Sequence, residues 1–327
     1  MIRRYPILGS GIHFYLSKMI HKYTAYDLEI SSEIALPELP ESKKNRAADL
    51  IIRRGKIDLP LPEPFEAWKY FHLDGNTTYL CWRIVGKFAV HSGKEIIIDS
   101  FFGVEEKVIR LPLLGAVLAT ALHQRKLLVL HGNAVAIDLG AAIFIGSKGQ
   151  GKSTMSAALY GRGHQLVADD VSALQIEAGN GNTPAIVPSF PQIKLWPESI
   201  ESALNQKAES LRKIHPEVEK RAFPALDNFC SSICLVKKIY VLATGSKLQI
   251  VSLQGQEAVA EIIANSYIPM MLEHKFMKDQ YRTLHLTQCV KLANSIPIAR
   301  LERPRSLDLL DDVARSVEED LLSEDRL

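Results

Sequence analysis

The stretch Ala141-Ala-Ile-Phe-Ile-Gly-Ser-Lys-Gly-Gln-Gly-Lys-Ser-Thr154 constrains this chain more than any other. Ala141 to Ile145 read as a short apolar strand. Gly146 breaks it, and a helix restarts near Lys152. Gly146, four residues, then Gly151-Lys152-Ser153 is the complete spacing of a phosphate-binding loop. Gly146, Gly149 and Gly151 let the main chain take angles closed to other residues and approach an anion. The loop N–H groups, from Ser147, Lys148, Gly149, Gln150 and Gly151 into Thr154, join the positive helix N-terminus in holding phosphates. Lys152 is placed to reach the β- and γ-phosphates, and Ser153 to offer its hydroxyl to Mg²⁺. A chance glycine-rich turn is the competing reading, and the flanking strand and helix weigh against it.

A second anchor follows one helix later. Thr154 to Tyr160 reads as a short helix, with Ala157 and Ala158 small enough to pack on a sheet, and Gly161-Arg-Gly163 ends it. Gln165 to Ala168 reads as a strand leading into Asp169-Asp170. A helix of about ten residues spans roughly 15 Å, close to the length of a five-residue strand. The unit makes its two strands parallel, so both end at one edge of the sheet. Ligands bind at that edge in open α/β folds. Adjacent carboxylates repel, so an acid pair at a buried strand end points to a cation. Two surface acids on a solvated turn are the alternative. Ser153, Asp169 and Asp170 are thus the candidate metal-binding residues.

Whole-chain properties set the bounds. At 327 residues the chain has room for two domains with real cores. A net charge of +2 gives no case for bulk binding to nucleic acid or membrane. Cys81, Cys230, Cys234 and Cys289 are too few for a disulfide scaffold, and Cys230 and Cys234 lack the partners of a zinc site. Free thiols in a reducing compartment fit better. No apolar run approaches the ~18 residues of a membrane span. Pro6, Gly9 and Gly11 interrupt any signal core after Arg3-Arg4. A cytoplasmic protein is expected, with homo-oligomerisation left open.

Residues 1–110 read as a mostly-β domain with a substrate-recognition or docking role. Ser10 to Tyr23 carries apolar residues at helical spacing and basic neighbours. That suits a helix docking an acidic partner, or simply a packed helix. Tyr26–Ile30, Asp49–Arg53, Thr77–Arg83, Lys87–His91 and Glu95–Asp99 read as strands, with loops at Leu36–Ser42 and around Pro60, Pro62 and Pro64. Residues 111–327 read as the phosphate-loop domain, entered through a bridging helix over Val108–Gln124. Leu127–Leu130 and Ala134–Ile137 are strands on either side of His131-Gly-Asn133. Asp138-Leu-Gly140 then makes a hairpin into Ala141–Ile145, which predicts a mixed sheet. Ile186–Trp196 is too proline-broken for a central strand. Pro197 opens a helix with a buried stripe to Ile214. Ile233–Ala243, Leu248–Leu253 and Ile298–Leu301 read as strands, Glu257–Ser266 and Gln280–Ser295 as helices around Pro269, and Ser306 as the cap of a last helix.

Three motifs sit at fixed intervals: His131-Gly, Gly146-Ser-Lys-Gly-Gln-Gly-Lys-Ser153, and Arg162-Gly-His-Gln-Leu-Val-Ala-Asp-Asp170. The block from Leu130 to Leu174 resembles the catalytic core of HPr kinase/phosphorylase, the bacterial serine kinase of the sugar phosphotransferase system. The resemblance implies an α/β kinase domain with a mixed sheet. It also implies Lys152 on the phosphates, Ser153 on Mg²⁺, Asp170 as base for the acceptor hydroxyl and His131 as a further active-site residue. That family carries a metal-binding Glu before an Arg-Gly-Leu-Gly signature. Here the nearest counterpart is Pro191-Gln-Ile-Lys-Leu-Trp-Pro197, with Gln192 near the place of the Glu. A neutral amide is a poor ligand for a hard dication. Either Asp169 and Asp170 hold the metal alone, or activity is reduced. The whole chain is similar to HPr-kinase-like proteins with a Lys-Leu-Trp-Pro box and a last strand like Ile296-Pro-Ile-Ala-Arg-Leu301. Members of that group accompany peptide natural-product genes, and some phosphorylate a serine of a lasso-peptide precursor.

The expected activity is ATP- and Mg²⁺-dependent phosphorylation of a serine hydroxyl on a peptide or small protein. Such transfer needs positioning and charge neutralisation more than covalent help. Lys152 and the loop amides take up charge, Asp170 aligns the hydroxyl and accepts its proton, and Asp169 serves the metal. His131 polarises a phosphate, orients an Asp, or is a core histidine at a strand end. Lys194 and Arg221 are further candidate cations, each more simply read as solvated surface charge. A kinase of free serine or another small alcohol, and a nucleotide-binding scaffold without catalysis, are the alternatives.

Overall fold

The computed structural model describes residues 19–44, 46–59, 69–138, 140–178, 183–215, 217–267 and 279–324. Its first layer is a seven-stranded sheet of β1 (His21–Ala25), β2 (Leu28–Ser32), β3 (Leu50–Arg54), β4 (Lys69–Asp74), β5 (Thr77–Trp82), β6 (Gly86–His91) and β7 (Glu95–Ser100), in the order β1-β2-β3-β7-β6-β5-β4. Tyr26 and Asp27 both have left-handed backbone (φ 54° and 55°), the two-residue turn that suits a twisted hairpin. The strand expected from Tyr26 therefore starts at Leu28. The helix expected over Ser10–Tyr23 is corrected where it is described, since His21–Ala25 is β1. Pairing with β2 buries Tyr23 and Ala25, so tertiary contact overrides helical spacing. The rest of that helix, and Pro60, Pro62, Pro64 and Pro269, lie outside the described residues.

The bridging helix is interrupted. α1 (Glu106–Pro112) and α2 (Leu118–Gln124) flank a wide turn at Leu113–Val117. Pro112 has no N–H to donate and Gly115 leaves helical geometry (φ −104°, ψ −106°), so the helix kinks. These helices fill the face of the first sheet with Ile30, Leu50, Phe88 and Ile96, and the same apolar cluster runs on through Val171, Ala173, Val187 and Phe190. Each large side chain so buried contributes about 1.5–3 kcal/mol. Two hydrogen bonds of Tyr26 add to the joint, from its hydroxyl to the Val171 carbonyl (3.1 Å) and from its N–H to the Pro188 carbonyl (2.9 Å).

The second sheet holds the glycine-rich loop that runs from Gly146 to Gly151. It contains β8 (Leu128–Ile137), β9 (Gly140–Ile145), β10 (Gln165–Ala168), β11 (Val171–Ala178) and β12 (Thr183–Val187). A small sheet of β13 (Gln192–Leu195), β14 (Lys213–His215) and β15 (Val218–Pro224) interrupts the sequence order, and β16 (Cys234–Thr244), β17 (Gln249–Leu253) and β18 (Ile298–Arg303) complete the large one. β8 is one ten-residue strand that runs straight through His131-Gly-Asn133. It pairs antiparallel with β9 on one side, and with β11 and β10 on the other. β9 and β10 thus run in the same direction with β8 between them, and α3 (Lys152–Gly161) joins them. β16 is parallel to both β9 and β18, so the sheet is mixed.

Two expectations downstream are corrected. β12 lies inside the sheet, between β11 and β16, and takes in Ile186 and Val187 alone of the stretch Ile186–Trp196; it ends before Pro188, and Gln192–Leu195 belongs to the small sheet. Pro184 is tolerated because it falls within the register shift between Ala185 and Thr183, where the ladder is already broken. The helix opened by Pro197 is α4 (Pro197–Leu204), which ends at Asn205 in a left-handed cap instead of reaching Ile214. Ile214 belongs to β14. Ser306 bonds the Asp308 N–H, and the last helix runs Leu310–Glu324.

Candidate functional site

The loop between β9 and α3 has the conformation its glycines allow, with φ of 140°, 87° and 81° at Gly146, Gly149 and Gly151. A Cβ on Gly146 would lie 2.8 Å from the Leu242 carbonyl oxygen, so no larger residue fits there. The buried Gly146 N–H donates to Asn265 Oδ1 (2.9 Å). The Lys152 ammonium folds over the loop onto the carbonyls of Gly146 (2.6 Å) and Ser147 (3.4 Å). Burial pushes its pKa down, against the pull of Asp170. A buried ammonium whose partners among the described residues are two carbonyls, in a loop of left-handed glycines, suits an anionic ligand. Ser147, Lys148 and Gly149 are exposed at the loop tip. Gln150 accepts from the Thr244 hydroxyl (3.1 Å), and Thr154 pairs with the Ser199 hydroxyl (2.9 Å) on α4.

The acid pair stands beside this loop. Ser153 Oγ donates to Asp169 Oδ1 at 3.0 Å. The same oxygen accepts from Asn133 Nδ2, and Asp169 Oδ2 accepts from the Lys194 N–H at 2.9 Å. Asp169 is buried, and burial raises its pKa against the opposing effect of Lys194. Asp170 makes the break between β10 and β11. The Val171 N–H bonds the Asp169 carbonyl (2.9 Å) around Asp170 at φ 72°. This is a tight three-residue turn of a strained kind, which turns the two carboxylates apart within one step of chain. Asp170 Oδ1 meets His131 Nδ1 at 3.2 Å and Asp170 Oδ2 meets Lys194 Nζ at 3.5 Å. Burial alone would raise the Asp170 carboxyl. Lys194, His131 and Lys220 together outweigh burial and hold it well below the usual carboxylate range.

His131 reaches Asp170 because β8 and β11 pair residue for residue, His131 opposite Val171. Its ring packs edge-on against Tyr267 (5.5 Å), and its N–H donates to the Asn265 carbonyl (2.8 Å). Lys194 is not a solvated surface charge. Its side chain is 18% exposed and its pKa is raised, because the two aspartates overcome the cost of burial. Arg221 is likewise half-buried, but it turns to Glu219. The neighbouring Lys220 acts on Lys152, Asp169 and Asp170 instead. Gln192 sits half-buried in β13, two residues before Lys194. Arg303, at the end of β18, donates to the carbonyls of Gln150 and Ala243 (2.9 Å to the latter) and braces the loop from behind.

Asn133, Asn265, Lys220 and Arg303 belong to this site and were not predicted. Asn133 carried a signal, since it follows His131-Gly in a strand that passes the loop. The hydroxyl of Ser153 and the carboxylate of Asp169 are hard oxygen donors next to an anion cradle. With phosphate oxygens and water they make a set Mg²⁺ accepts. Asp170 is held by cations and is the weaker metal ligand of the pair. Among the described residues no group of three or more His, Cys, Asp and Glu side chains could hold a metal. All four cysteines are free. No described helix is long and apolar enough to cross a membrane.

No protein-family model and no curated protein matches the chain. Among solved structures it is similar to the Hpr(Ser) kinase/phosphatase from Coxiella burnetii, at 16% identity and a TM-score of 0.35, over 60% of this chain and 98% of that one. A TM-score that low shows neither a common family nor a common activity.

Proposed function

We propose that this chain is an ATP- and Mg²⁺-dependent kinase that transfers the γ-phosphoryl group to a serine hydroxyl on a peptide or small protein. The observation that carries the reading is the bond between Ser153 and Asp169, which joins a phosphate loop to an acid pair at one sheet edge. The bound metal would neutralise the phosphate oxygens as the transfer proceeds. Ser153 and Asp169 are the residues that would hold it. Lys152 turns its ammonium from the loop carbonyls to the incoming phosphates. Asp170, ionised at neutral pH, aligns the acceptor hydroxyl and takes its proton late in a loose transfer. His131 and Lys194 fix the Asp170 carboxylate from two sides. The finer assignment, a serine in a ribosomally made precursor of the lasso type, comes from the resemblance of the motifs.

Incubation with γ-labelled ATP, Mg²⁺ and either serine-containing peptides or free serine tests this. Label in peptide supports the proposal, and label in free serine alone replaces it with a small-alcohol kinase. Nucleotide binding without transfer to either favours the scaffold reading, to which Gln192 lends its weight.

A further inference from the structure

A cavity of about 340 Å³ is lined in part by Lys194, the residue whose ammonium meets Asp170 at 3.5 Å. Among the described residues, five cations line it, Lys107 and Arg110 from α1, Lys194 from β13, and Arg212 and Lys213 at the start of β14, against one acid, Glu38. In a chain of net charge +2 this is a marked concentration. Glu38 is fixed in place by its neighbours Leu36 and Leu39, both buried. Its Oε1 bridges Arg110 (3.0 Å) and Arg212 (3.2 Å). Its Oε2 is buried and has no hydrogen-bond partner among the described residues. Arg110 is buried at the floor, whereas Arg212 and Lys213 are open at the rim. Lys107 and Lys213 also touch Glu105 and Glu219, exposed pairs of the kind that exchange easily for another carboxylate.

We infer that this cavity is the acceptor site, and that it takes a carboxylate carried next to the acceptor hydroxyl. The inference rests on the kinase reading for the role of Asp170, and on the cavity alone for its charge. A carboxylate in the cleft meets Arg212 and Lys213 at the entrance and Arg110 below, with guanidinium groups suited to a planar anion. The cavity is near the lower end of ligand-cleft size, enough for a short segment rather than a folded surface. An acidic peptide and a free hydroxy amino acid share this chemistry, so the test separates them.

The probes are a nonapeptide with one central serine flanked by glutamates, its glutamine and lysine counterparts, and free serine. Binding to the full chain is measured by calorimetry, and phosphate transfer in parallel. The glutamate peptide, or free serine if the acceptor is small, is expected to bind at least about tenfold more tightly than the glutamine peptide. Arg212→Glu with Lys213→Glu should abolish that preference while ATP still binds, which shows the variant is folded. Equal binding of the three peptides with none for serine, preference for lysine, or no binding of any probe by ATP-competent protein overturns the inference. Acidic preference without transfer upholds the cleft and instead sinks the kinase reading. Transfer without charge preference does the reverse.

Discussion

Ser153 and Asp169, sixteen residues apart, share a 3.0 Å hydrogen bond that joins the first turn of α3 to the end of β10. The bond exists because β9 and β10 run in the same direction on either side of β8, and α3 spans the distance between them. Removing the hydroxyl in Ser153→Ala leaves Asp169 Oδ1 to Asn133 alone. Nucleotide affinity should then fall more in the presence of Mg²⁺ than in its absence, by about tenfold for one charge-assisted contact. Titration of ATP with and without Mg²⁺ checks this, and an equal loss in both would detach Ser153 from the metal.

Asn265→Ala removes the acceptor of the buried Gly146 N–H. A buried donor left unpaired costs about 1–3 kcal/mol. Urea denaturation should show that loss. ATP affinity should drop as well, because the Gly146 N–H that Asn265 Oδ1 holds lies in the glycine-rich loop itself.

Lys194→Met tests the charge around Asp170 through pH. The folded carboxyl of Asp170 lies below its unfolded value of about 3.9. Its contribution to stability is therefore complete above that value and lost as pH falls through the lower folded one. Without Lys194 the folded pKa rises and part of that contribution goes. The acid-unfolding midpoint, followed by circular dichroism, should move to higher pH, and the acid limb of the transfer profile should move with it. An unmoved midpoint would mean that Lys194 does not hold Asp170.

What the sequence made legible was local. The interval from Gly146 to Ser153 names the loop, and the interval from Lys152 to Asp170 measures one helix and one strand, so the meeting of loop and acids follows from lengths alone. Asn265 bonds Gly146 across 119 positions, and no spacing points to it. Lys194 reads as surface charge because nothing in its own segment shows that β13 packs beneath the acid pair. Arg221 and Lys220 differ only in which face of β15 they occupy, and a strand's alternation decides that once its partner is known. His21–Ala25 fails for the same reason: apolar residues at helical spacing also supply buried positions of a strand, and β2 settles which.

Lys152→Ala removes the ammonium that covers the loop carbonyls. Transfer should be lost, while the fold persists, since burial already disfavours the charged form of Lys152. Label transfer and a thermal melt check both halves. Retained transfer would remove the lysine from the phosphates.

The most direct measurement is made on Asp170→Asn, because asparagine accepts the left-handed backbone this position requires (φ 72°) and keeps the side-chain shape. ATP and Mg²⁺ binding is measured by calorimetry and label transfer to the acceptor peptide on the same sample. The account predicts nucleotide binding close to that of the unaltered protein and transfer reduced by about 10²–10⁴-fold. Transfer at the unaltered rate would contradict it.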